Sequence, residues 1–129
     1  MANPKKKEIK KEIKKEIVGK LTEAKLKLLN AEHGKLIEIE ADVVDEEISI
    51  GYFKKPGLQI YSIALKYFSI NAETGEGSLT DMEKFTNVII SNCWVDGDER
   101  IKTDEFSCFP IAQKLFAMVK PKAVRIKNV

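Results

Sequence analysis

The hydrophobic positions change period twice along the chain. Lys6-Lys7-Glu8-Ile9, Lys10-Lys11-Glu12-Ile13 and Lys14-Lys15-Glu16-Ile17 are three copies of one four-residue unit. In a 3.6-residue helix their isoleucines form a narrow stripe that drifts by about 40° per copy, with lysines on both sides. Glutamates within i,i+3 and i,i+4 reach of lysines add local helical support. From Ile17 the apolar spacing tightens to Ile17, Leu21, Ala24, Leu28 and Ala31, a heptad-like seam. The pattern predicts solvated helix over 5–16 and helix that packs on something over 17–32. His33-Gly34 closes it, since glycine commonly follows a helix and histidine suits its negative end.

The period then becomes two. Lys35–Ala41 and Ile48–Phe53 alternate around the acidic stretch Asp42–Glu47. This predicts a short hairpin, stopped by the turn Lys54-Lys55-Pro56-Gly57. Helical spacing returns over Leu58–Ile70, with Ile60, Ile63, Ala64, Tyr67 and Phe68 on one face. Asn71–Ser78 reads as a loop. Thr80 with Glu83 reads as a capping box. It opens a helix faced by Met82, Phe85, Val88, Ile89 and Cys93 and broken at Asp96-Gly97. A last helix begins near Asp104 or Pro110 and runs to about Lys120, with Ile111, Leu115, Phe116 and Val119 inward; Lys120-Pro121 stops it. Ala123–Val129 alternates weakly, as a short strand or a frayed tail. The expected fold is α+β and helix-dominant: a long basic N-terminal helix, a short β-hairpin, then a compact bundle of three short helices. Gly34 divides the chain into a basic amphipathic helical arm, 1–34, and a small α+β domain, 35–129.

Charge sharpens this division. The 129 residues carry a net +2, yet residues 1–35 carry +6 and residues 36–129 carry −4. A basic head on an acidic body suits an arm that meets nucleic acid or another acidic surface, or head-to-body contact between copies. The length is that of one domain able to bury a core without disulfides or metal. No apolar run approaches the roughly 18–20 residues of a membrane span. The lysine-rich start has no apolar stretch behind it, so no signal peptide is expected and the composition suits a soluble intracellular protein.

Candidate chemistry is sparse. Cys93 and Cys108 form no CxxC and His33 is the single histidine, too few ligands for a four-coordinate zinc site. The pair reads as two small buried hydrophobes, and His33 as a helix cap. Asp96, Asp98, Glu99, Asp104 and Glu105 invite a calcium-loop reading. It fails because an EF-hand beginning at Asp96 would have Arg100, Ile101 and Ser107 where acid or Asn, glycine and glutamate are required. The glycines form no phosphate loop, and no Gly-x-Ser-x-Gly occurs. No catalytic residue, cofactor or metal is therefore expected. The partner-binding candidates are Lys6, Lys7, Lys10, Lys11 and Lys14 on the basic helix, Ile17, Leu21 and Leu28 on its seam, and Trp94 after the apolar helix. Eight lysines and three glutamates in residues 1–20 make nucleic acid the alternative partner. Against it stand the absence of arginine for base readout and of aromatic residues for stacking. A membrane surface is not expected, because the isoleucine stripe lacks Trp or Phe anchors.

Two stretches carry a family resemblance. Phe53-Lys54-Lys55-Pro56 precedes an aromatic-rich helix, and a later helix ends in Asn92-Cys93-Trp94-Val95-Asp96-Gly97-Asp98-Glu99 before an acidic helix start and a final short helix. Over residues 36–129 this resembles small bacteriophage proteins of the tail assembly chaperone type. The lysine-rich start and the alternating tail lie outside the pattern. The resemblance implies a non-enzymatic protein that binds other tail or virion proteins, as a homo-oligomer or hetero-assembly, in the host cytoplasm during assembly or in the virion.

Overall fold

The computed structural model describes residues 15–119 and 124–128. The strongest sheet-forming stretch, Glu47–Phe53 (β3), is central, and the rest of a four-stranded sheet is built on it. On one side β2, Ile37–Ala41, pairs antiparallel along its whole length, with Ile37 opposite Phe53 and Ala41 opposite Ser49. The other side is shared by two short strands. Glu16–Val18 (β1) runs parallel to Glu47–Ser49. Trp94–Gly97 (β6) runs antiparallel to Gly51–Phe53, with an irregularity between Tyr52 and Phe53. Helix α1, Glu23–His33, lies between β1 and β2, and α2, Leu58–Leu65, follows β3. A separate hairpin, β4 (Phe68–Ile70) with β5 (Gly77–Leu79), leads into α3, Met82–Cys93. After β6 come a one-turn helix α4, Arg100–Thr103, and α5, Glu105–Ala117.

Alternation along β3 sends its side chains to opposite faces. Phe53 faces the main core with Ala64 of α2, Phe85, Ile89 and Cys93 of α3, Ile101 of α4, and Ile111 and Leu115 of α5. Ile37, Ile39 and Ala41 of β2 border that core half-buried. Phe68, Phe85 and Phe116 interlock at its end, with ring centroids 5.2–5.5 Å apart. Such pairs add to area burial through edge and offset contacts. Ile50 and Tyr52 turn to the other face and are as deeply buried. The chain from Lys20 to Lys25 holds that face. Lys20 reaches Glu38 of β2 at 3.0 Å, the Leu21 amide donates to the Tyr52 hydroxyl, and Lys25 meets Asp96 of β6 at 3.1 Å.

This mixed α/β architecture overturns the expected helix-dominant one. The expected long N-terminal helix is replaced, where the chain is described, by a strand and an eleven-residue helix. The branched side chains of Ile17 and Val18 suit a strand, and Gly19, at φ +95°, turns the chain out of any helix. Residues 5–14 of that expectation lie outside the described residues. The expected hairpin is present but is only half of its sheet. The expected three-helix bundle gives way to helices covering a sheet. Tyr67–Ile70, read as the end of a helix, leaves it for β4. The Asn71 side chain accepts from the Glu73 and Thr74 amides to turn the β4–β5 connection. The helix-opening cap is Asp81, whose Oδ1 accepts from the Lys84 amide at 3.0 Å; Thr80 instead binds the Tyr67 carbonyl with both its amide and its hydroxyl.

Candidate interaction surface

The glycines on either side of the Ile50 carbonyl place the site's elements. Gly19 ends β1 and Gly97 ends β6, and both backbones press against this one peptide group. A Cβ on Gly97 would lie 2.4 Å from the Ile50 oxygen, and one on Gly19 2.6 Å from it. Both have positive φ, +95° and +124°. The Asp98 amide donates to the same oxygen at 2.9 Å. Two strands far apart in sequence are thus seated end to end along β3.

Around Gly97 the acidic cluster is divided among cations and amides. Asp96 binds its neighbour's amide at Gly97 and takes Lys25, which together hold its carboxyl below the usual range. Asp98, 8 % exposed, is gripped by Arg100 through Nε and a terminal nitrogen at 2.8–3.1 Å. Arg100 lowers its pKa to about 2 against the cost of burial. The Ser49 hydroxyl is fully buried with no hydrogen-bond partner among the described residues. The same terminal nitrogen of Arg100 also reaches Glu47 at 2.6 Å, tying α4 to the start of β3. Glu99 pairs with Lys102, and Asp104 accepts from the Ser107 hydroxyl. Among the described residues no group of three or more His, Cys, Asp or Glu is arranged to hold a metal ion.

The second face carries a polar relay joining β3, β2 and the segment that follows β1. Tyr52 donates to Glu38 at 2.8 Å while Lys20 holds both oxygens of the same carboxylate. The Tyr52 bond, then Lys20, lower the Glu38 pKa; burial, then Glu38, raise that of Tyr52. Lys15 reaches Asp42 at 3.4 Å. The meeting of basic head and acidic body therefore occurs within one chain at Lys15, Lys20 and Lys25.

The expected binding residues are scattered. Lys6, Lys7, Lys10, Lys11 and Lys14 lie outside the described residues. Ile17 sits in β1 and is 58 % exposed, and Leu21 lies half-buried in the crossing segment. Leu28 is 71 % exposed on α1. These do not form one helical seam, because Ile17 and Leu21 are not helical; α1 instead turns Leu26, Leu29 and Asn30 inward. Trp94 is half-buried, edge-on to Phe53 at 5.4 Å, with the Lys102 ammonium 5.2 Å from its ring. Cys93 and Cys108 are separate buried thiols, and burial pushes Cys93 up to about 11.

Two grooves open on the helical side. One, of about 420 Å³, is lined by Phe68, Leu79, Met82, Phe85 and Phe116. The other, of about 310 Å³, is more polar, with Glu83, Asn87, Lys102 and Glu105 at its walls and Thr86 and Cys108 at its floor. Sequence reasoning reached Phe68, Met82, Phe85 and Phe116 of the first through the helical faces, but neither Leu79 nor the groove, which depends on the β4–β5 hairpin. No described helix is long and apolar enough to cross a membrane. Comparison with known protein families, with curated proteins and with solved structures finds no match for this chain.

Proposed function

We infer that this chain is a non-enzymatic protein-binding module of bacteriophage tail assembly, a chaperone or a tail-associated component. One observation carries the reading. The two stretches behind the family resemblance, forty residues apart, are side by side in the fold. Phe53 pairs with Trp94, the Lys54 amide donates to the Cys93 carbonyl at 2.8 Å, and Asp96 lies opposite Tyr52. They form one structural unit. Of the acidic cluster, Asp96, Asp98 and Glu99 are held in ion pairs and Asp104 accepts from the Ser107 hydroxyl, which favours binding over catalysis.

The test is co-expression with the tape-measure and tail-tube proteins of the genome that carries this chain. The expected result is a complex with one of them that survives size-exclusion chromatography and raises its soluble yield. Failure to associate with any of them, by a folded chain, overturns the reading. Binding to nucleic acid that weakens roughly tenfold or more between 50 and 200 mM salt would point instead to phosphate contacts by the lysine-rich sequence.

A further inference from the structure

We propose that the exposed segment Val124–Asn128 of one copy adds as a strand to the open edge of β2 in a second copy, so that the chain self-associates by strand exchange. Among the described residues β2 is paired on one side only, with β3. Its outer edge lacks several of the features that commonly blunt a free edge. It contains no proline or lysine and no irregularity in its register. The side chains of that edge are also unfinished. Ile37, Ile39 and Ala41 border the core only half-buried, and Glu40 is exposed without an ion pair among the described residues.

The segment Val124-Arg125-Ile126-Lys127-Asn128 has the complementary pattern. It lies in no helix or strand, and Val124 and Ile126 are 80 % and 89 % exposed, clear of their own sheet. β2 alternates apolar with acidic, and this segment alternates apolar with basic. An antiparallel pairing with Arg125 opposite Glu40 sets Lys127 opposite Glu38, Val124 opposite Ala41 and Ile126 opposite Ile39. Both branched side chains then fall on the core face and both cations on the acidic face. A slip by one residue would set a charged side chain against an apolar one at every pair, so the pattern selects its register. Main-chain hydrogen bonds supply affinity in this mode and the alternating side chains supply specificity. Reciprocal exchange closes a two-fold dimer.

Sedimentation of the full chain from roughly 1 to 100 µM at near-physiological salt tests this. A reversible dimer is expected. Arg125→Glu with Lys127→Glu, or Ile126→Asp alone, should raise its dissociation constant by at least about tenfold. Adding Glu40→Lys to an Arg125→Glu chain should recover association, which general loss of solubility cannot mimic. These positions are exposed, so each variant should keep the parent circular dichroism. A chain that stays monomeric over the whole range overturns the proposal, as does a dimer indifferent to all three changes. Monomers whose β2 amides lose exchange protection on Ile126→Asp would place the segment on its own sheet and equally overturn exchange between copies.

Discussion

Gly97 and Gly19 show how one missing methyl group can decide a sheet. At Gly97 a side chain meets a carbonyl oxygen at 2.4 Å and must also hold φ at +124°. Gly97→Ala is expected to cost about 2–4 kcal/mol, read as a fall in the urea midpoint. Gly75 also has positive φ, but nothing lies within 4 Å of its added Cβ, so Gly75→Ala should cost only about 1 kcal/mol. Asp98 gives a second test. Its pKa falls from 3.8 to about 2 on folding, so its contribution is complete above pH 4 and lost as pH drops from about 4 to 2. The contribution is about 1–2 kcal/mol, reduced because Arg100 is half-exposed to water. Asp98→Asn should flatten the acid limb of stability against pH in that window and leave the slope near neutrality unchanged. The thiols give a third. Cys93 is 1 % exposed with its pKa raised to about 11, and Cys108 is buried with its thiol donating to the Ile101 carbonyl. Neither should react with a thiol-specific dye at pH 8 until denaturant is added.

At the scale of elements, α5 carries a visible fault. Pro110 lies inside it, exposed, where it offers no amide to the carbonyl of Phe106 one turn back. Pro110→Ala should therefore stabilise the chain by about 1 kcal/mol or more in urea unfolding. The same proline explains why the helix's start was ambiguous in sequence, at Asp104 or at Pro110: the first-turn preference of proline competes with the acidic residues that favour an N-terminus. Where an element was long and periodic, the sequence was readable. The Phe85, Ile89, Cys93 face, the Ile111 and Leu115 positions, the stop at His33-Gly34 and the β3 alternation all describe the folded chain. The short strands were not readable. Three or four residues contain at most two periods, so Glu16–Val18 was absorbed into the isoleucine repeat before it. Trp94–Gly97 was absorbed into the end of α3, with no turn residue between them. The interaction surface suffered most, because its ion pairs join positions that only this sheet order brings together: Lys20 with Glu38, and Arg100 with Glu47.

For the whole molecule, those missed strands carry the long-range order. A chain beginning at Thr22 lacks β1 and the contacts of Lys15, Gly19, Lys20 and Leu21 that one beginning at Lys15 keeps. The shorter chain exposes Tyr52 and leaves Glu38 without its ammonium. It should be less stable than the longer by about 2–4 kcal/mol, measured by urea titration of both. The shared edge of β3 also has a consequence during synthesis. Once Phe53 has been made, β1, β2 and β3 are all available to pair, but β6 begins about forty residues later. At roughly 5–20 residues per second, ribosomes need some 2–8 s to supply it. For that interval the nascent sheet holds its N-terminal partner beside Glu47–Ser49 while Gly51–Phe53 stands unpaired next to it. The emerging chain is thus most open to the wrong neighbour at the residues that later form its most deeply buried strand.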